Sequence, residues 1–203
     1  GGGGISCEAC DSRITDVIVS NNSVTGIGGG IRVFNGSNPE LIGVTISNNT
    51  STLNGGGIAY EGLPASTINQ RLHRVTVSNN TSIDGVGGGI YLYSSVASVT
   101  RSFIQDNIAS LKGGGISIEW TSELTLENSF VSGNMLSSGV QGSNVYIGKS
   151  DQLIGSNEKL IAMNSNLIDT VALSDENLFS MYTNGLVKPL LVNSIAIGRL
   201  DAA

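Results

Sequence analysis

The sequence predicts an all-β right-handed parallel β-helix of about six to seven coils, and three observations predict it. The block Gly-Gly-Gly-Ile occurs five times, ending at Ile5, Ile31, Ile58, Ile90 and Ile116, and a weakened copy, Gly142-Ser143-Asn144-Val145, follows; the steps are 26, 27, 32, 26 and 29 residues. A second segment recurs in phase with it, ending at Asn22, Asn49, Asn80, Asn107 and Asn134. Between these markers apolar and polar residues alternate with the period of two that belongs to a strand.

Each element follows from this pattern. Before every marker Asn stand an aliphatic residue eight places back (Ile14, Leu41, Leu72, Val99, Leu126) and another three places back (Val19, Ile46, Val77, Ile104, Val131). Around them Val17, Val44 and Val75 alternate with Ile18, Thr45 and Thr76. After the glycines Ile31 and Val33, Ile58 and Tyr60, Ile90 and Leu92, Ile116 and Ile118 flank Arg32, Ala59, Tyr91 and Ser117. Each unit therefore supplies at least two short strands, with the first set of residues facing a core. Helical repeats need a 3.6-residue period that is absent, and a leucine-rich repeat has no place for the glycine block. A stack of coils spaced by about 4.8 Å gives every aliphatic column a neighbour to bury against.

The polar repeats acquire structural jobs in such a stack. The glycines allow positive φ and close approach of neighbouring backbones. The column Asn22, Asn49, Asn80, Asn107 and Asn134 is expected at equivalent corners, in left-handed backbone geometry, with its amides linked from coil to coil. Insertions at Glu61 to Arg71 and Met135 to Gln141 mark one variable, loop-bearing face. Residues 1–150 read as regular coils and 151–203 as irregular coils or a capping region, since no further glycine triplet appears there although apolar runs at Leu160 to Met163 and Leu190 to Ile197 persist.

Composition narrows the function classes. With 28 Gly, 13% charged and 39% hydrophobic residues and a mean hydropathy of +0.14, the chain is too apolar to be disordered. A net charge of −6 and a pI near 4.6 disfavour nucleic acid and anionic membranes as partners. No apolar stretch approaches the length of a membrane helix. The start at Gly1 without a charged leader reads as an internal or processed fragment. Cys7 and Cys10 leave three readings, in order: a local disulfide in an oxidising compartment, a pair of free thiols, and half of a metal site. A zinc site needs two further ligands, and His73, the one histidine, stands far off without a companion, so neither metal nor cofactor is expected.

The Gly-Gly-Gly-Ile blocks, separated by Val-x-Ile-Ser-Asn-Asn units, resemble the β-helical passenger regions of bacterial polymorphic outer-membrane proteins and autotransporter-like surface proteins. Those families use Gly-Gly-Ala-Ile-like and Phe-x-x-Asn tetrapeptides; here Gly replaces Ala, and the corner is usually Ser-Asn-Asn. The resemblance covers residues 1–150. It implies secretion and an adhesive or structural role without a cofactor, with other protein chains or surface glycans as partners and end-to-end or lateral assembly.

Candidate sites compete with structural readings. β-Helices that act on acidic polysaccharides gather carboxylates and a basic residue on one face. The nearest approach is His73 with Arg74 and Arg101, which share a column on consecutive coils, and Asp106; a salt-bridged solvated face is the alternative. A second column, Phe34, Glu61, Tyr93 and Glu119 with Trp120 alongside, offers a binding strip, with Tyr93, Glu119 and Trp120 at its centre, provided that the rings are exposed and coplanar. Glu119 and Glu123 also fit the paired acids of a glycosidase, at a spacing common by chance. Glycosylation triplets begin at Asn21, Asn35, Asn48, Asn49, Asn79 and Asn80. The expected function is an extracellular structural or adhesive module without catalysis; the alternatives are a polysaccharide lyase or epimerase, or a carbohydrate-binding module.

Overall fold

The period-two runs form strands of two to five residues, too short to hold together without neighbours in other coils. The computed structural model describes residues 1–62, 69–138, 141–148, 159–168, 181–183, 190–197 and 200–202. Its strands make four sheets of eight, seven, seven and five strands, and within each sheet every strand lies beside its equivalent one repeat away. The second coil shows the unit: Ile31–Phe34 in the first sheet, Glu40–Ile42 in the second, Thr45–Ser47 in the third and Thr50–Ser51 in the fourth. All pairing between these coils is parallel, and the glycine blocks set the register: Ile5 faces Ile31, Ile31 faces Ile58, Ile58 faces Ile90, Ile90 faces Ile116. The weakened copy keeps step, with Val145 beside Ile116.

Five coils carry all four strands. Beyond Leu136 the fourth sheet ends among the described residues, while the first gains three strands and the second and third gain two each. The expected six to seven coils thus resolve into five four-sided coils followed by strands that extend the first three sheets. Within 151–203, Lys159–Met163, Asn166–Ile168, Met181–Thr183, Leu190–Val192, Ile195–Ile197 and Leu200–Ala202 are strands of the same sheets.

The interior is a set of aliphatic columns. Ile46, Val77, Ile104 and Val131 are fully buried, as are Leu41, Val99 and Leu126. Burying each is worth about 1.5–3 kcal/mol, and none could be buried by a lone coil. Two expectations about facing need correction. Val17 is 37% exposed although Val44 and Val75 are buried, because the first coil has described neighbours on one side only. Ala59, Tyr91 and Ser117, expected to face solvent, are buried. The chain entering each glycine block folds back over the outer face of the first sheet, and Ile27, Val86 and Tyr93 pack with Ala59 and Tyr91 in a second small core. The reversal uses positive φ at the first glycine of the five later blocks (Gly28, Gly55, Gly87, Gly113, Gly142), while a Cβ on the second, as at Gly56, would strike the Gly88 carbonyl and the backbone of Thr81.

The roots of the two insertions lie at opposite ends of the first-sheet strands. The first leaves between the first and second sheets, after Glu61, and the second between the fourth and first, after Leu136, so they flank the first sheet on opposite edges. Residues 63–68 and 139–140 of these insertions lie outside the described residues.

Candidate functional site

The most regular polar feature is internal. Asn49 donates from its backbone N–H and from Nδ2 to Oδ1 of Asn80, at 3.0 Å each, and its other amide hydrogen goes to the Val19 carbonyl at 2.9 Å. Asn80 bonds in the same way to Asn107 and Ile46, Asn107 to Asn134 and Val77, and Asn22 donates to Asn49. Among the described residues the last rung is Asn144, whose Oδ1 accepts from Asn134 Nδ2 at 2.9 Å and whose own Nδ2 donates to the Ile168 carbonyl. Asn144 was legible only as the third residue of a degraded glycine block; its role as a rung depends on the fold bringing it to Asn134 from ten residues away.

The backbone geometry at this corner differs from the sequence expectation. Positive φ falls one residue earlier, at Asn21, Asn48, Asn79, Asp106 and Gly133, and not at the ladder residues themselves. The left-handed residue swings the chain so that the next side chain points inward, where its amide can reach both the rung above and the carbonyl below. A second ladder, unforeseen in the sequence, runs along the corner between the second and third sheets. There Val75 N–H donates to Ser102 Oγ, Ser102 N–H to Ser129, Ser129 N–H to Ser165 and Ser165 N–H to Ser194, at 3.1–3.2 Å. Its signal was a serine two places before Ile104, Val131, Leu167 and Ala196 of the third sheet, where the earlier coils have Val17, Val44 and Val75.

The enzymatic candidates do not converge. Arg74 and Arg101 are exposed, both at left-handed positions of the corner between the second and third sheets. Asp106 occupies the next corner, at the far end of the strand Phe103–Gln105, and its carboxylate lies over Gly133 of the following coil. His73 is on the outer face of the second sheet, where Nδ1 and Thr100 Oγ1 share a 2.8 Å hydrogen bond. Arg74, Arg101 and Asp106 form no ion pair among the described residues, so the salt-bridged face expected there is also absent; the surface pairs run instead from Glu40 to Arg13 and Arg71, from Glu61 to Arg32 and from Glu123 to Lys159. No group of three His, Cys, Asp or Glu side chains comes together among the described residues.

The aromatic strip is present but not flat. Tyr93 and Trp120 have ring centroids 5.5 Å apart with planes tilted by 46°, and both are half-buried. Each turns part of its face to the other, which removes the coplanar platform that stacking on a sugar requires. Phe34 lies under the Arg32 guanidinium, which pairs with Glu61. Glu119 accepts from Ser117 Oγ, and Glu123 is held by Lys159, so the two acids of the glycosidase reading are engaged in separate contacts. A surface depression of about 240 Å³ on the second sheet was not anticipated; it is lined by Glu40, Arg71, Leu72, His73, Ser98 and Thr100.

Cys7 and Cys10 are joined by a disulfide that closes the corner between the first and second sheets of the first coil, where Cys10 N–H donates to Ser37 Oγ and its carbonyl accepts from Asn38. The glycosylation triplets divide in two. Asn21, Asn35, Asn48 and Asn79 are exposed, whereas Asn49 and Asn80 have no exposed surface and both amide hydrogens engaged. Asn49 and Asn80 are therefore corrected from acceptor sites to ladder rungs.

Parallel coils, inward aliphatic columns and an internal amide ladder define the class of the parallel β-helix. The family model described as a right handed beta helix region matches residues 1–157, and the chain belongs to that family. No curated protein and no solved structure matches it.

Proposed function

We propose that the chain is an extracellular structural or adhesive module, a rigid rod that presents its outer surface to protein chains or surface glycans and catalyses no reaction. One observation carries this reading: the polar side chains that the repeat keeps invariant within the chain are spent on holding coils together. Asn49, Asn80, Asn107 and Asn134 are wholly buried and bonded to one another, and Ser102, Ser129 and Ser165 are buried in a second ladder. The likeness of the Gly-Gly-Gly-Ile blocks to bacterial surface passenger regions supports secretion, as does the disulfide.

A second reading rests on the depression on the second sheet, where a carboxylate, a guanidinium, an imidazole and two hydroxyls face solvent together. Such groups bind sugar hydroxyls and carboxylates, and on this reading the chain is a carbohydrate-binding module or part of a polysaccharide lyase or epimerase. The test is a glycan-array screen of the chain, with product analysis after incubation with pectin, alginate and related acidic polymers at added calcium. Binding without turnover, or no binding, is expected. Shortened or unsaturated products would overturn the scaffold reading and direct attention to Arg71 and His73.

A further inference from the structure

Two buried polar atoms of the third coil have no hydrogen-bond partner among the described residues: the Tyr60 hydroxyl and Gln70 Oε1. Tyr60 is 1% exposed and Gln70 6%. They stand on either side of the first insertion, Tyr60 in the strand before it (Ile58–Glu61) and Gln70 in the strand after it (Asn69–His73). Their columns are otherwise apolar where they touch: Tyr60 sits between Val33 and Leu92, and Gln70 is followed by Ala97 and Leu124. The orientation of the Gln70 amide is fixed, because Nε2 donates to the Ser37 carbonyl at 2.7 Å and only the nitrogen can do so. Oε1 is therefore left as a pure acceptor, and the phenol, whose ionisation burial suppresses, as a donor.

Both side chains line one cavity with Val33, Ser37, Glu61, Gly62 and Ser95 among its other walls, and its volume of about 10 Å³ is that of a single water site. We infer that this cavity binds one ordered water, which accepts a hydrogen bond from Tyr60 Oη and donates one to Gln70 Oε1. Water has the required donor and acceptor together, and the one carboxylate at the cavity, Glu61, is already paired with the Arg32 guanidinium, so no free charged group lines it to hold a metal ion. The bridge runs from Tyr60 through the water and Gln70 to Ser37 in the coil below. It ties the two roots of the insertion to each other and to the rest of the stack. The inference is independent of the scaffold reading, since a water here is compatible with either function.

The test is a crystal structure of the whole chain, with thermal melting of Tyr60→Phe, Gln70→Leu and the double variant. A solvent peak about 2.6–3.2 Å from both Tyr60 Oη and Gln70 Oε1 is expected. An empty cavity, a direct bond between the two side chains or a residue of the insertion filling the space would overturn the inference. In melting, each single variant is expected to lower Tm by leaving its partner unpaired. The double variant is expected to lose less than the sum; strictly additive losses would count against a shared water.

Discussion

Asn48 and Asn49 are neighbours in one triplet-forming segment, yet the corner gives them opposite fates. Asn48 takes the left-handed turn and projects outward, while Asn49 commits both amide hydrogens inside. An oligosaccharyl group on Asn49 would need its nitrogen withdrawn from two buried bonds, each leaving an acceptor unpaired at about 1–3 kcal/mol. In a glycosylating host, peptide mapping of the folded chain is expected to find sugar at Asn21, Asn35, Asn48 or Asn79 and none at Asn49 or Asn80. The tyrosines give a second outcome at this scale. Burial raises the phenol pKa of Tyr60, and burial followed by the nearby charges of Glu119 and Glu61 raises that of Tyr91, above the ordinary 10.0. The unfolded chain then loses these protons first, so the stability they contribute is complete below pH 10.0 and declines as pH rises beyond it. Melting between neutral and strongly alkaline pH is expected to show a steep fall above that value, shallower in Tyr60→Phe; an unchanged slope in that variant would contradict the burial.

At the scale of the element, the glycine block is a steric device whose positions are not equivalent. The first glycine supplies the turn and the second lets two backbones meet. Gly56→Ala places a methyl against the Gly88 carbonyl and the Thr81 main chain, neither of which can rotate away. A loss of about 1–3 kcal/mol or more is expected in urea unfolding, whereas Gly36→Asn, with open space around it and a residue that tolerates left-handed geometry, is expected to change stability by less than about 1 kcal/mol. Much of this was legible, because strict recurrence of Gly-Gly-Gly-Ile and of the Asn column reports register directly, as Ile5, Ile31 and Ile58 show. The fold-back over Ala59 and Tyr91 was not legible, since alternation within a strand says which residues oppose the core but not what covers the other face. The continuation past residue 150 was partly legible: Ser165 and Ser194 precede Leu167 and Ala196 as Ser102 precedes Ile104, but the signal is one serine in a chain rich in serine. The separation of the enzymatic candidates was not legible, because Arg101 and Asp106 are five residues apart in sequence while the strand Phe103–Gln105 sets them at successive corners.

At the scale of the whole molecule, stability is a sum of coil interfaces, so the same residue type contributes according to its place in the stack. Asn22 belongs to the first coil and bonds to one rung, Asn49, whereas Asn80 is held from both sides, accepting from Asn49 and donating to Asn107 and Ile46. If the repeated polar residues exist to bind coil to coil, a break in the middle must cost more than a break at the end. The direct measurement is equilibrium urea unfolding of Asn80→Ala and Asn22→Ala beside the parent chain. Asn80→Ala is expected to lose about 2–4 kcal/mol and Asn22→Ala about 1 kcal/mol. Equal, small losses at the two positions would contradict it and return the asparagines to the list of residues that need a ligand to explain them.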